Sequence, residues 1–88
     1  MDKTIHTPEQ RAFLNAIRQL RSAVGLSQDD LARRLDEPQS FVSKYESGER
    51  RLDIIELRQI CAALGVSLVD FVARLEEQMQ ECSRTKNS

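Results

Sequence analysis

The stretch SQDDLARRLDEPQSFVSKYESG, residues 27–48, decides the fold of this chain. Ser27, followed three residues later by Asp30, is typical of a capping box that opens a helix. Pro38 fixes the start of a second helical run, because its ring suits the first turn of a helix and not the interior. Gly48 ends that run as a left-handed residue. The stretch therefore predicts two short helices, Gln28–Leu35 and one from about Pro38 to Gly48, joined by a tight turn.

The same start signals recur outside this stretch. Capping sequences begin at Thr7, Asp53 and Ser67, and each one opens a periodic apolar run. They predict a first helix over Pro8–Val24, a fourth over 53–64 and a last helix after Ser67. The expected core positions are Phe13, Leu14, Ile17, Leu20, Val24, Leu31, Ala32, Leu35, Val42, Tyr45, Ile54, Leu57, Ile60, Cys61, Leu64, Leu68, Phe71 and Val72. With no alternating strand pattern, the sequence predicts an all-α fold of five helices.

Composition favours one globular domain. The 88 residues are 40% hydrophobic and 31% charged, which is ordinary for a folded domain of this size. We expect an N-terminal arm over residues 1–7, the helical domain over 8–82 and a polar tail over 83–88. The sequence holds neither a transmembrane run nor a secretory leader, so we expect a cytoplasmic protein without a membrane partner.

Residues that usually carry catalysis or bind metal are scarce. Cys61 and Cys82 lack the paired spacing of a zinc or redox site, and His6 is the single histidine. There is no Ser/His/Asp set and no glycine-rich phosphate loop. We therefore expect no enzyme activity, no metal, no cofactor and no small-molecule ligand.

The third helix has a polar outward face. Val42 and Tyr45 lie three residues apart and are expected to point into the core. The side chains expected to point away from them are Gln39, Ser40, Ser43 and Lys44. Glutamine suits adenine, serine suits several bases, and lysine suits guanine or phosphate. From the residues alone, this face fits DNA readout and a solvated polar surface equally well, and the net charge of −1 mildly opposes DNA.

A family resemblance favours the first of these interpretations. The segments GLSQDDLA, PQSFVSKYESG, ERRLD and ALGVSL, within residues 20–72, resemble the Cro and phage-repressor type of helix-turn-helix, the XRE-like family. The resemblance implies a five-helix lambda-repressor-like domain, whose second and third helices bind double-stranded DNA and whose third helix reads the major groove. By position, the implied base-contacting residues are Gln39, Ser40, Ser43 and Lys44, and the implied backbone-contacting residues are Gln28, Arg50 and Arg51. Gln28 would also brace Gln39.

The chain departs from the family pattern at the turn. Asp36 stands where glycine is common, and Pro38 replaces the usual Ser or Thr cap of the third helix. Arg21 is expected to pair with an acid near the fourth helix. The acidic residues expected near the DNA surface are Asp29, Asp30, Glu46 and Glu49. They predict weak binding to non-specific DNA.

The last helix predicts an oligomer. Its apolar stripe continues past the compact body to Leu75 and Met79, which we expect to form a homodimer interface. The alternative is a solvated extension of the helix. The resulting functional hypothesis is a dimeric transcriptional regulator, a repressor of a palindromic operator. The alternative hypothesis is an antitoxin-like or other protein-interaction module built on the same domain.

Overall fold

The computed structural model describes residues 7–87, with side chains described for residues 7–80. Its helices are α1 (Pro8–Val24), α2 (Gln28–Leu35), α3 (Gln39–Ser47), α4 (Ile54–Ala63) and α5 (Leu68–Asn87). The described part of the chain contains no β-strand, and the predicted five-helix, all-α fold is confirmed. No helix within it is long and apolar enough to cross a membrane. Residues 1–6 of the expected arm lie outside the described range.

The helix ends follow from the capping residues. Thr7 Oγ1 accepts a hydrogen bond from the Gln10 backbone N–H at 3.0 Å, and reciprocal capping boxes open α2 at Ser27 and α4 at Asp53. The N-cap of α3 is Pro38, whose ring has no oxygen to offer the free N–H groups. The Phe41 N–H donates to the Pro38 carbonyl at 2.9 Å, and no side chain caps the N–H groups before it.

The core lies where α1, α2, α3, α4 and α5 converge. Its buried hydrophobic residues are Ala16, Ile17, Leu31, Ala32, Val42, Tyr45, Leu57, Ile60, Cys61, Leu64 and Phe71. α3 packs against α2 and α1, while α4 joins α2 to α5. Since α2 and α3 are too short to be stable alone, this packing holds them in one orientation.

Three residues that we expected in the core are exposed instead. Val24 is 43% exposed, Ile54 59% and Val72 41%. Val24 lies in the last turn of α1 and Ile54 is the first residue of α4, so both extend past the helices that would cover them. Val72 lies at the edge of the α5 stripe, beside the buried Phe71. Helical periodicity identified the apolar stripe correctly but overestimated the width that the neighbouring helices cover.

α5 is longer than expected. The helix continues to Asn87 and so includes residues 83–87, for which the sequence predicts a polar tail. The sequence from Leu68 to Asn87 contains neither glycine nor proline, so nothing in its backbone chemistry ends the helix earlier. α5 thus spans 20 residues and is the longest helix of the domain.

Candidate nucleic-acid interface

The turn between α2 and α3 fixes their mutual orientation. Asp36 takes the left-handed conformation at φ 58°, and its backbone N–H donates to the Arg33 carbonyl at 3.1 Å. The next N–H, of Glu37, donates to the Ala32 carbonyl at 2.9 Å. Ala32 is only 1% exposed, so a larger side chain would push the two helices apart. Asp36 therefore fills the position often held by glycine without breaking the motif.

The outer face of α3 is polar and accessible. Val42 and Tyr45 are fully buried and set the rotation of the helix about its axis. As a result Gln39, Ser40 and Lys44 are exposed and Ser43 is half-buried. The structure thus gathers the four predicted base-contacting residues on one side of one helix. Their contact with bases stays a prediction.

Gln28 and Gln39 are joined by a hydrogen bond. Gln39 Nε2 donates to Gln28 Oε1 at 2.9 Å, so the brace implied by the family resemblance is present. Gln28 Nε2 in turn donates to Glu46 Oε1 at 3.0 Å. The side chain that begins α2 therefore links the first residue of α3 to a carboxylate in its last turn.

Glu46 belongs to an ion pair beneath the interface. Arg21 Nε donates to Glu46 Oε2 at 2.7 Å and Arg21 Nη2 to Glu46 Oε1 at 3.0 Å. Arg21 Nη1 also donates to the Leu26 carbonyl at 2.8 Å. The side chains are only 13% and 4% exposed, and the hydrogen bonds with Glu46 raise the pKa of Arg21. The pair ties α1 to α3.

This ion pair corrects two expectations. The partner of Arg21 lies on α3 and not near α4, and Glu46 is not an acid of the DNA surface. Glu46 follows Val42 by four residues, which places it on the inner side of α3, towards α1. That spacing is the signal in the sequence that could have identified the buried carboxylate.

A second ion pair lies in the loop after α3. Arg50 Nη1 and Nη2 donate to the two carboxylate oxygens of Glu56 at 3.1 and 2.7 Å. Arg50 also donates to the Arg51 carbonyl at 2.9 Å, and its guanidinium lies 4.7 Å from the centre of the Phe41 ring. The hydrogen bonds between Arg50 and Glu56 lower the pKa of Glu56 and raise the pKa of Arg50. The charge of Arg50 is therefore already compensated within the protein.

The arrangement of α2, the turn and α3 is that of known helix-turn-helix proteins. A helix-turn-helix family model matches residues 17–71, which hold α2, the turn, α3 and α4. The chain belongs to the XRE family of helix-turn-helix proteins. An XRE-family-like protein from Pseudomonas syringae pv. tomato str. DC3000 is a similar solved structure, with 45% identity and a TM-score of 0.77. The match covers 86% of this chain and 93% of that one. No curated protein gives a significant match.

Membership of the XRE family makes this protein a DNA-binding helix-turn-helix regulator. Two of the acidic residues expected near its DNA-binding face, Asp29 and Glu46, are paired with arginines. Asp29 pairs with Arg33 at 3.0 Å, and Asp30 accepts the Ser27 backbone N–H at 3.1 Å, which lowers the pKa of Asp30. Asp29 and Glu46 therefore have a positive partner beside them, whereas Asp30 keeps its negative charge near the DNA-binding face.

The outer side of α5 carries an apolar surface that the sequence reading missed. Val69 is 76% exposed and Val72 41%, and together with Leu68, Ala73 and Glu76 they line a shallow depression. Leu75 and Met79, the predicted interface residues, are both half-buried, and Leu75 packs against the core. Their three-residue spacing places Val69 and Val72 on one face of α5, but it does not distinguish an exposed face from one that faces the core. We call this depression, lined by residues 68, 69, 72, 73 and 76, the α5 face.

Proposed function

We propose that this XRE-family protein is a transcriptional repressor that binds a palindromic operator in double-stranded DNA as a homodimer. The observation that carries the proposal is the Gln28–Gln39 hydrogen bond, which holds a base-reading side chain ready at the exposed start of α3. A side chain held in place before binding loses less conformational entropy when it meets its base. The N-terminal half of α3 then enters the major groove.

The contacts divide into two kinds. The proposed base contacts come from Gln39, Ser40, Ser43 and Lys44, and the proposed phosphate contacts come from Gln28, Arg50 and Arg51. The backbone N–H groups at the start of α2 and the uncapped start of α3 add partial positive charge towards the DNA. Arg50 already shares its charge with Glu56, which reduces the positive charge that it offers to a phosphate.

The α5 face supports the homodimer. Val69 and Val72 present apolar side chains to water, and a contiguous apolar surface of this kind usually meets a partner. We propose that this face, continued along α5 by Leu75 and Met79, packs against its copy across a two-fold axis. Such a dimer places two α3 helices about 34 Å apart, one turn of DNA. Because one short helix makes few base contacts, specific binding depends on both halves.

A second candidate function assigns the α5 face to a different protein partner and not to a second copy of this chain. The exposed Val69 and Val72 would equally suit a different protein, as in an antitoxin-like or other interaction module. In both cases the site of action is the bacterial cytoplasm, where the DNA lies. We favour the repressor, since the hydrogen bond between Gln28 and Gln39 holds a polar side chain at the exposed start of α3, the position proposed to read bases.

Fluorescence anisotropy at near-physiological salt tests the main proposal. A duplex from upstream of this protein's own gene is compared with a scrambled duplex of equal length. Tight binding to the first alone is expected, because base contacts distinguish the two while phosphate contacts do not. Equal, weak binding to both duplexes would contradict recognition of this promoter and favour the protein-interaction function. Gln39→Ala should weaken only the specific complex, whereas Arg51→Ala should weaken both.

Analytical ultracentrifugation tests the homodimer. Val69→Arg places a charge in the centre of the α5 face without disturbing the core, since Val69 is 76% exposed. We expect a dimer for the unmodified protein and a monomer for the variant, with a loss of operator affinity in parallel. The matched control is Gln59→Arg, which adds the same charge at an exposed position of α4. An unchanged dimer in Val69→Arg would exclude this face as the interface.

A further inference from the structure

A shallow depression of about 520 Å³ lies on the outer side of α1, next to the end of α3. Arg11, Asn15 and Arg18 line it from α1, and Glu46 lines it from α3. The three α1 residues are exposed, and their spacing of four and then three positions places them on one face of the helix. All three side chains carry N–H donors. We call Arg11, Asn15 and Arg18 the α1 donor row.

The α1 donor row is positively charged, although the net charge of the chain is −1. It contains two arginines, and the acid at the edge of the depression, Glu46, is paired with Arg21 at 2.7 Å. The single acid of α1, Glu9, lies two positions before Arg11 and therefore falls on a different face of the helix. The surface of the row thus attracts an anion, which the overall composition does not indicate.

The α1 donor row leads to the start of α2. Arg21 follows Arg18 by three positions, so it continues the same side of α1 by almost one turn. Arg21 Nη1 donates to the Leu26 carbonyl at 2.8 Å, immediately before the cap of α2. Its partner Glu46 accepts a hydrogen bond from Gln28 at 3.0 Å, and Gln28 is proposed to contact phosphate. The row therefore continues one side of the DNA-binding face along α1.

The dimensions and the donors of the row suit a DNA backbone. Arg11 and Arg18 are seven residues apart, which is about 10 Å along a helix axis. Each strand of DNA carries one charge per about 3.4 Å of its axis, so this length spans more than one phosphate. Guanidinium groups bind phosphate oxygens through paired N–H bonds, and the Asn15 amide adds a donor between them. A shallow row of donors along a helix follows a linear polyanion better than it encloses a small anion.

We infer that the α1 donor row binds phosphates of the DNA backbone, on the side of α3 opposite to the Arg50–Arg51 loop. The inference rests on the proposed function and extends the DNA contact to residues of α1. Backbone contacts then flank α3 on both sides and fix its position in the major groove. The competing ligand is an acidic segment of another protein, and the continuity of the row with Gln28 favours DNA.

A map of the contacted phosphates tests the inference. The duplex that the protein binds specifically is prepared as a series, in which one phosphate at a time is replaced by a neutral methylphosphonate. Fluorescence anisotropy gives the affinity of the protein for each duplex. In Arg18→Gln, the phosphates that this arginine contacts should no longer affect the affinity when they are neutralised. Phosphates contacted by the Arg50–Arg51 loop should keep their effect in the same variant.

The salt dependence of binding gives the size of the effect. Loss of one phosphate contact should reduce the slope of log K against log salt by about 0.9, in Arg11→Gln and in Arg18→Gln. Affinity for specific and random duplexes should fall together, because phosphate contacts carry no sequence information. Arg58→Gln is the matched control, since it removes the same charge from an exposed position of α4. Its phosphate map should equal that of the unmodified protein, and its slope should change less.

Asn15→Ala separates the contact from the charge. The substitution leaves the net charge unchanged, and alanine favours the helix at an exposed position, so lost affinity would not reflect unfolding. Affinity for both duplexes should fall roughly threefold, as expected for the loss of one hydrogen bond. Gln19→Ala is the matched control, because it removes an exposed amide on the side of α1 that faces α5. Its affinity should equal that of the unmodified protein.

The outcomes separate the inference from the proposed function. A phosphate map that is unchanged in both Arg11→Gln and Arg18→Gln would overturn the inference, leave recognition through α3 in place and favour an acidic protein segment as the ligand of the row. Equal changes of slope in Arg18→Gln and Arg58→Gln would overturn it as well, since net charge alone would explain them. If the unmodified protein binds the specific and scrambled duplexes equally, the proposed function fails. The salt slopes on random DNA then still decide whether the row binds phosphate.

Discussion

Two arginine–glutamate pairs lie on either side of α3, and they differ in burial more than in geometry. Arg21 and Glu46 approach to 2.7 Å on the inner side of α3, and Arg50 and Glu56 approach to 2.7 Å in the loop beyond it. Both arginines hold both carboxylate oxygens. The inner pair is 13% and 4% exposed, whereas the outer pair is 41% and 26% exposed.

The two ion pairs therefore have different roles, although their shortest N–O distances are equal. Water can replace a lost partner in the outer pair, so that pair contributes little to stability. Water does not readily reach the inner pair, and removal of one partner would leave a buried charge without compensation. The inner pair thus supports the DNA-binding face, because Glu46 also accepts a hydrogen bond from Gln28, which in turn accepts one from Gln39. The outer pair instead controls how much positive charge the loop offers to DNA.

Glu46→Ala should have the largest effect on stability. It leaves the guanidinium of Arg21, 13% exposed, without its carboxylate partner, and the expected loss is about 3–5 kcal/mol of unfolding free energy. Urea denaturation at neutral pH, followed by circular dichroism, measures this loss. A change below about 1 kcal/mol would show that the pair behaves like an exposed one, and the comparison of the two pairs would fail.

The double variant Arg21→Met with Glu46→Leu provides the matched control. It removes both charges and fills the space with apolar side chains, so no unpaired charge remains buried. We expect it to be more stable than Glu46→Ala, because replacing a buried pair by hydrophobic residues is often nearly neutral. A double variant as unstable as the single one would show that the lost packing, and not the unpaired charge, causes the destabilisation.

Tyr45→Phe tests the cost of burying a neutral polar group that has no hydrogen-bond partner among the described residues. The Tyr45 hydroxyl is buried, and no described group of the protein hydrogen-bonds to it. Burial raises the pKa of Tyr45, which reflects the same lack of solvation. Removing the hydroxyl should raise the unfolding free energy by about 1 kcal/mol, since an unsatisfied polar group costs roughly 1–3 kcal/mol. A loss of stability in urea denaturation would mean that a bound water satisfies the hydroxyl.

Glu56→Gln should act on DNA binding and hardly on stability. Glutamine keeps the acceptor that caps α4, but it releases the charge of Arg50 for a phosphate. Affinity for specific and random duplexes should rise together, and the slope of log K against log salt should steepen by about 0.9. Salt titration by fluorescence anisotropy measures both quantities. Glu49→Gln is the control, because it removes an exposed loop charge without breaking the Arg50 pair. Equal effects of the two variants would show that net charge alone matters.

The sequence predicted the fold well because its signals are local. A capping residue acts within three positions, and Ser27 and Asp53 open α2 and α4 as expected. Gly48 and Asp36 end α3 and α2 in the left-handed conformation for the same reason. The positions proposed to read DNA followed from the family pattern, and the structure gathers them on the outer side of α3.

The charge arrangement could not be predicted in the same way. Arg21 and Glu46 are 25 residues apart, and their contact depends on how α1 crosses α3. The same holds for Val69 and Val72, which no periodicity distinguishes from core positions until the neighbouring helices are placed. Long-range contacts decided which acids oppose DNA and which apolar residues remain exposed. The spacing from Val42 places Glu46 on the inner side of α3, but its partner and the exposure of Val69 and Val72 depend on the packing.

The smallest expected effect is the pH dependence of the outer pair. The hydrogen bonds from Arg50 to Glu56 lower the pKa of Glu56 below its value in the unfolded chain, so folding favours the ionised form of Glu56. The stabilisation is complete above the unfolded pKa and disappears as the pH falls through the lower folded pKa. The difference in unfolding free energy between the unmodified protein and Glu56→Gln should therefore be constant from pH 7 to about 5 and shrink below about 4. A difference that grows on acidification would mean that Arg50 does not stabilise the Glu56 carboxylate. The outer pair would then not be a stabilising ion pair, and exposure alone would not explain how it differs from the inner pair.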